Sequence, residues 1–287
     1  MAALLALVTV PAISQATTYT SNTTISGTVT DTSVAINSGA IVDVVAGGIW
    51  NASGNFYINN NSNANSTAHV NGGILNYAGG GGDGFQVGWY FGGKFNISAG
   101  EANFSSVLRM YNGDVNITGG TLNLLSHYLQ MGEYDDSLTN SFSISGGTAN
   151  IKGIQYNGGG GGQYNVALSG TGTLSIGSIG IAAGSGKPGA LNFSGGTLML
   201  DTGAILRPFG TNGSFDMVDN LLIGGVAQSA GVWGGIGSGA ANETSLIQNG
   251  DTLTVLSTVP EPGAFAMLLL GSLTFWFMRR RHTCEKR

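Results

Sequence analysis

The chain has 287 residues, a formal net charge of −5, and only 9% charged residues against 42% apolar ones. Fifty glycines with 5 prolines exclude collagen, and the apolar share excludes charge-driven disorder. Between Thr17 and Thr258 the 13 acidic and five basic residues leave a balance of −8, which excludes binding to nucleic acid by phosphate neutralisation. The lone cysteine, Cys284, lies near the C-terminus, so the rest of the chain has no disulfide and no thiolate metal site.

Residues 1–16, in "MAALLALVTVPAISQATTYTS", start with an apolar run that Pro11 ends. Ser14 and Ala16 then place small residues at the −3 and −1 positions of a cleavage site. This layout predicts a secretory signal removed after Ala16, although no basic residue precedes the run.

Residues 17–258 repeat. "FNISAGEANFS" (95–105), "VNITGGTLNLL" (115–125), "FSISGGTANIK" (142–152), "VALSGTGTLSI" (166–176) and "LNFSGGTLMLD" (191–201) share one pattern, and "AHVNGGILNYA" (68–78) is a weaker copy. Apolar residues alternate with small polar ones on both sides of a Gly-Gly pair, at intervals of 20 to 27 residues. Period 2 predicts two short strands per copy, with glycine supplying positive φ at the bend between them.

Two all-β architectures fit this pattern. A hairpin meander would put Gly-Gly between antiparallel neighbours. A right-handed parallel β-helix would make each copy one coil and each Gly-Gly pair a corner. The β-helix is preferred, because the repeat is close to one coil in length. Like residues would also stack on like, and a nearly uncharged chain tolerates that stacking. The looser segments 77–93, 124–140 and 156–165 would complete the coils or bulge from one side. The repeats are similar to those of bacterial autotransporter passenger domains, a resemblance that implies an exported, structural or adhesive β-solenoid. Residues 215–255 would form the last coil and a cap.

The chain closes on "VPEPGAFAMLLLGSLTFWFMRRR" (259–281). Residues 263–278 carry no charge, and a helix over 262–278 would span roughly 25 Å. That is short of the roughly 30 Å hydrocarbon core, but snorkelling of Arg279, Arg280 and Arg281 can cover the shortfall. Arginines after the span predict a single transmembrane helix with the tail in the cytoplasm and the body outside. This segment resembles the PEP-CTERM sorting signal of Gram-negative bacteria. Val259, Pro260, Glu261 and Pro262 match its V-P-E-P box, and Arg279 to Arg281 match its basic stop. The resemblance implies an exosortase as processing partner and a setting in bacteria that make exopolysaccharide. The domains expected are therefore 1–16 signal, 17–258 solenoid and 259–287 sorting signal.

Little in the sequence predicts chemistry. Glu133, Asp135 and Asp136, near His127 and Tyr134, are the best acidic cluster, and Asp216 with Asp219 is the second. Neither has metal-loop spacing, and solvated loops account for both. "GGGGDGF" (79–85) misses the calcium-repeat register, because Gly84 stands where aspartate belongs. His69 and His127 show no partner pattern, and no G-x-S-x-G elbow occurs. Trp50, Phe56, Tyr57, Phe85, Trp89, Tyr90 and Phe91 would either stack on sugars or plug the first coils. The expectation is an exported surface or matrix protein, structural or adhesive, without cofactor or enzymatic activity. The alternatives are a carbohydrate-active β-helix enzyme and a carbohydrate-binding module.

Overall fold

The computed structural model describes residues 15–60, 64–79, 84–89, 91–132, 139–156, 163–182, 189–193, 195–201, 204, 206, 217–247 and 252–256. Regular structure among them is entirely β. The strands fall into three ladders of parallel pairs. On the first face, Thr23–Ile25 pairs with Ile41–Val45, which pairs with the first half of Ser66–Tyr77, then the first half of Gly93–Phe104, Gly113–Ile117, Thr139–Ile144, Gln163–Leu168 and Gly189–Phe193. The second face runs from the start of Thr28–Ile36 through Ile49–Ala52, the second halves of Ser66–Tyr77 and Gly93–Phe104, and Thr121–Leu124. It continues through residues 148–151 and 173–176 to Thr197–Leu200 and Asn220–Ile223. The third face carries Gln15–Tyr19, the end of Thr28–Ile36, Phe56–Ile58, Phe85–Val87, Leu108–Met110, Leu129–Met131 and the end of Thr148–Tyr156. The chain visits the faces in turn, so it winds as a parallel β-solenoid. The looser segments of the sequence do complete the coils: Phe85–Val87 and Leu129–Met131 form part of the third face.

Alternation decides what the solenoid encloses. Along the first face, Val44, Val70, Ile97, Ile117, Ile144 and Leu168 stack inward in register, each at most 1% exposed. Each buried side chain of this size contributes about 1.5–3 kcal/mol of transfer free energy. No coil has a second layer of its own to bury against, so the gain depends on neighbouring coils. Large and small residues also alternate up a column: Phe95 stands between Ala68 and Val115. Part of the core is aromatic, with Phe85 stacked on Phe56 at 4.2 Å and meeting Phe104 edge-on at 4.8 Å.

The Gly-Gly pairs stand where the first face turns into the second. The strands that flank them belong to different parallel ladders, which rules out the hairpin meander. Stacking is what makes glycine necessary there. Gly100 has φ +80°, and a β-carbon on it would stand 2.1 Å from the Gly73 carbonyl oxygen in the coil beside it. Gly120 repeats this against Gly100 at 2.6 Å. A side chain at either corner would be driven into backbone.

The solenoid begins earlier than the repeats in the sequence suggest. Residues 23–58 already wind over all three faces, with Gly47 and Gly48 at the corner. Inside this end, Asp31 is buried and accepts hydrogen bonds from Thr17 Oγ1 at 2.5 Å, Trp50 Nε1 at 2.8 Å and Tyr19 OH at 3.1 Å. At the other end, Asn220–Ile223 closes the second face and folds back on Val226–Ala227 as an antiparallel pair. Met217–Val218, Gly231–Gly235, Asn242–Thr244 and Thr252–Val255 make a small separate sheet, the cap expected of residues 215–255.

Candidate functional site

Outward positions of the second face carry a ladder of amides. Asn51, Asn76, Asn103, Asn123 and Asn150 lie in register on successive coils. Each Nδ2 donates to the Oδ1 of the asparagine before it: Asn76 to Asn51 at 3.0 Å, Asn103 to Asn76 at 3.1 Å, Asn123 to Asn103 at 2.9 Å and Asn150 to Asn123 at 2.9 Å. An amide has two N–H donors and an oxygen with two lone pairs. An inner member of the ladder therefore keeps one donor and one acceptor site beyond the ladder itself, and Asn103 turns its second donor toward Glu101 Oε2 at 3.5 Å. The first face carries a shorter version, in which Asn116 donates to Asn96 at 3.0 Å and Ser143 to Asn116 at 2.7 Å.

Beside the amide ladder, where the second face turns toward the third, lies an open groove of about 360 Å³. Asn76, Asn103 and Asn123 line it together with Phe104, Ser105 and Leu125. Leu125 is 67% exposed, so the groove offers an apolar contact beside a row of neutral hydrogen-bonding groups.

A second constellation lies on the outer side of the first face. Asp43 and His69 are in register on adjacent coils, and His69 Nδ1 is 2.7 Å from Asp43 Oδ1. That oxygen is buried and receives no aligned hydrogen bond in this rotamer, although the contact itself is close. On the other side of the ring, Nε2 is 2.8 Å from Ser98 Oγ. A bulge sets this geometry. Pairing between the two long strands runs Val70 to Ile97 and then Asn71 to Ala99, so Ser98 is an extra residue at the corner. Such a residue is turned off the regular pleat. Its hydroxyl also donates to Asn71 Oδ1 at 3.2 Å. The site is open: Ala46, Gly47, Asn71 and Gly72 beside it are exposed.

The residues singled out in the sequence are distributed differently. Ala16 lies in strand Gln15–Tyr19, opposite Ser33. Val259, Pro260, Glu261, Pro262, Arg279, Arg280 and Arg281 lie outside the described residues, as do Glu133, Tyr134, Asp135, Asp136 and Asp216. Asp219 is taken up by structure, since its Oδ2 accepts the backbone N–H of corner Gly196 at 2.8 Å. Glu243 serves the cap: the N–H groups of Gly237 and Gly239 hold its carboxyl below the ordinary range. Trp50, Phe56 and Phe85 are fully buried, so these aromatics plug the core and are not a sugar-stacking row. Trp89 packs on Tyr111 at 4.7 Å. Among the described residues no three His, Cys, Asp or Glu side chains gather as a metal site, and no helix is long and apolar enough to cross a membrane.

The Asp43–His69–Ser98 constellation was missed because its members are 26 and 29 residues apart, farther than any local motif reaches. Laying "VDVVAGGIWNA" (42–52) over "AHVNGGILNYA" (68–78) by their glycines would have brought Asp43 to His69 with a one-residue slip. No family model matches the chain, and searches of curated proteins and of solved structures return no match.

Proposed function

We propose that the protein is an exported bacterial envelope or matrix protein whose solenoid has a structural or adhesive role in contact with exopolysaccharide. The observation that carries this reading is the amide ladder from Asn51 to Asn150, with its row of outward donor and acceptor sites beside the groove at Leu125. Such sites recur once per coil, about 4.8 Å apart, and face a polymer that carries both donors and acceptors. The low share of charged residues suits the same role, because the contact is then made by neutral amides rather than by ion pairs.

The address rests on the ends of the chain. In this reading residues 1–16 direct export, and the winding is right-handed. Residues 263–278 span the membrane as a helix, stopped by Arg279 to Arg281. An exosortase recognises Val259 to Pro262 and processes the chain near the box, releasing the body to the cell surface or beyond.

The test is intact mass and fractionation of the protein from its native host, for the wild type and for a variant with alanine at 260, 261 and 262. The expected mature species lacks residues 1–16 and everything after about residue 262, and the triple variant accumulates unprocessed in the membrane. A full-length wild-type species in the inner membrane would overturn the sorting role.

A further inference from the structure

We propose that Asp43, His69 and Ser98 form an acyl-transfer centre that hydrolyses short-chain carboxylic esters, an activity separate from the surface role above. The assignment rests on geometry. Ser98 Oγ and Asp43 Oδ1 lie at 2.8 Å and 2.7 Å from the two different ring nitrogens of His69, the order in which a nucleophile, a base and an orienting carboxylate must stand. Asp43 Oδ1 is buried and lacks an aligned donor, and His69 Nδ1 is the donor in contact with it. With the ring turned so that Nδ1–H points at that oxygen, the oxygen is satisfied and the proton stays on Nδ1. Nε2 is then an acceptor, and the Ser98 hydroxyl donates to it.

In the reaction Ser98 Oγ attacks the ester carbonyl while its proton passes to His69 Nε2. The tetrahedral adduct collapses, the C–O bond to the alcohol breaks, and the alcohol leaves with that proton. Water then attacks the acyl-serine, again giving a proton to Nε2, and the acid leaves as Ser98 recovers its hydrogen. Negative charge on the former carbonyl oxygen needs a donor near Oγ. Asn71 supplies one when its amide is turned over, which puts Nδ2 in the place of the oxygen 3.2 Å from Ser98 Oγ. Ester substrates follow from the shape of the site. Exposed Ala46, Gly47 and Gly72 leave the serine open, so esters carried on a polymer can reach it. Among the described residues the exposed side chains beside the serine are small, as at Ala46, Gly47 and Gly72, which suits a short acyl group.

The experiment uses the full-length protein in mild detergent, with p-nitrophenyl acetate as substrate and a fluorophosphonate as covalent probe. The expected result is turnover above buffer and one adduct, mapped by peptide mass to Ser98. Ser98→Ala and His69→Gln each lower turnover at least about 100-fold and abolish the adduct, and Asn71→Ala lowers turnover by about 100-fold. Asp43→Asn lowers turnover and slows labelling. Ser175→Ala, outward on the second face, changes neither. The proposal is overturned by folded wild-type protein that takes no adduct, by an adduct elsewhere, or by turnover that survives Ser98→Ala, which would make His69 a bare imidazole catalyst. Circular dichroism establishes folding for each variant, and the adduct map on wild type decides the matter even if a variant fails to fold.

Discussion

Trp50 Nε1 donates a 2.8 Å hydrogen bond to Asp31 Oδ2 inside the N-terminal end of the solenoid, where both side chains are shut from solvent. Thr17 and Tyr19 donate to the same carboxylate, so one acidic group ties three strands together. Replacing Asp31 with leucine strips these donors of their acceptor and leaves the indole N–H buried without one. Urea denaturation should show a loss of about 2–4 kcal/mol, since an orphaned buried donor costs about 1–3 kcal/mol. Asp31→Asn keeps one acceptor oxygen and should lose roughly half as much.

Tyr19 supplies a pH-dependent test. Burial, then the charge of Asp31, then the hydrogen bond to it, raise the phenol well above its ordinary value of 10.0. The folded protein therefore holds the proton longer than the unfolded chain does. Stability is fully present below pH 10 and falls as pH rises from there toward the folded value. In an alkaline titration followed by phenolate absorbance, Tyr19 should ionise only with unfolding. Tyr19→Phe should remove that component and flatten the loss of stability above pH 10.

Corner glycines separate backbone strain from collision. Gly225 has φ +79° with nothing within 4 Å of an added β-carbon, so Gly225→Ala should cost about 1 kcal/mol from conformation alone. Gly100 has nearly the same φ but adds the collision with the Gly73 carbonyl. Gly100→Ala should cost at least about 3 kcal/mol, or prevent folding. Equal losses at the two sites would mean that stacking does not govern the corner.

The amide ladder should contribute to stability as well as to the surface. Asn103 donates to Asn76 and accepts from Asn123, so Asn103→Ala removes two half-buried hydrogen bonds. A loss of about 1–2 kcal/mol in urea denaturation is expected. Asn242→Ala, whose exposed amide makes a 3.4 Å bond to the Val232 carbonyl, should lose under about 0.5 kcal/mol.

In the core, Phe95 is fully buried and lies 5.2 Å from Phe85 and 5.8 Å from Phe104, centroid to centroid. Phe95→Ala should cost about 3–5 kcal/mol. Phe95→Leu refills most of the volume and should cost less than half of that.

How much of this was legible beforehand depended on how local the cause was. Alternation at residues 142–144 and Gly-Gly at 146 and 147 act over a few residues, so strands, corners and the all-β class could be read directly. The coil at residues 42–52 is obscured in the sequence because Val45 and Ala46 stand where the five clear copies carry serine or threonine, although Gly47 and Gly48 make the same corner. Phe85–Val87 looked like loop because three residues are too few to show a period. The sequence leaves Trp50, Phe56 and Phe85 either plugging the core or facing sugars, and burial decides for the core.

By itself, then, the sequence determined a repeating, nearly uncharged, all-β chain with glycine at its bends, because strand alternation and glycine's freedom are properties of neighbouring residues. Only the tertiary structure decided that the repeats stack in parallel, that five asparagines join into one hydrogen-bonded row, and that a bulge at Ser98 faces His69 across from Asp43. Those relationships depend on the register between coils. Register is set by the packing of inward side chains across 20 or more residues of chain, a distance at which no sequence pattern specifies which residues meet.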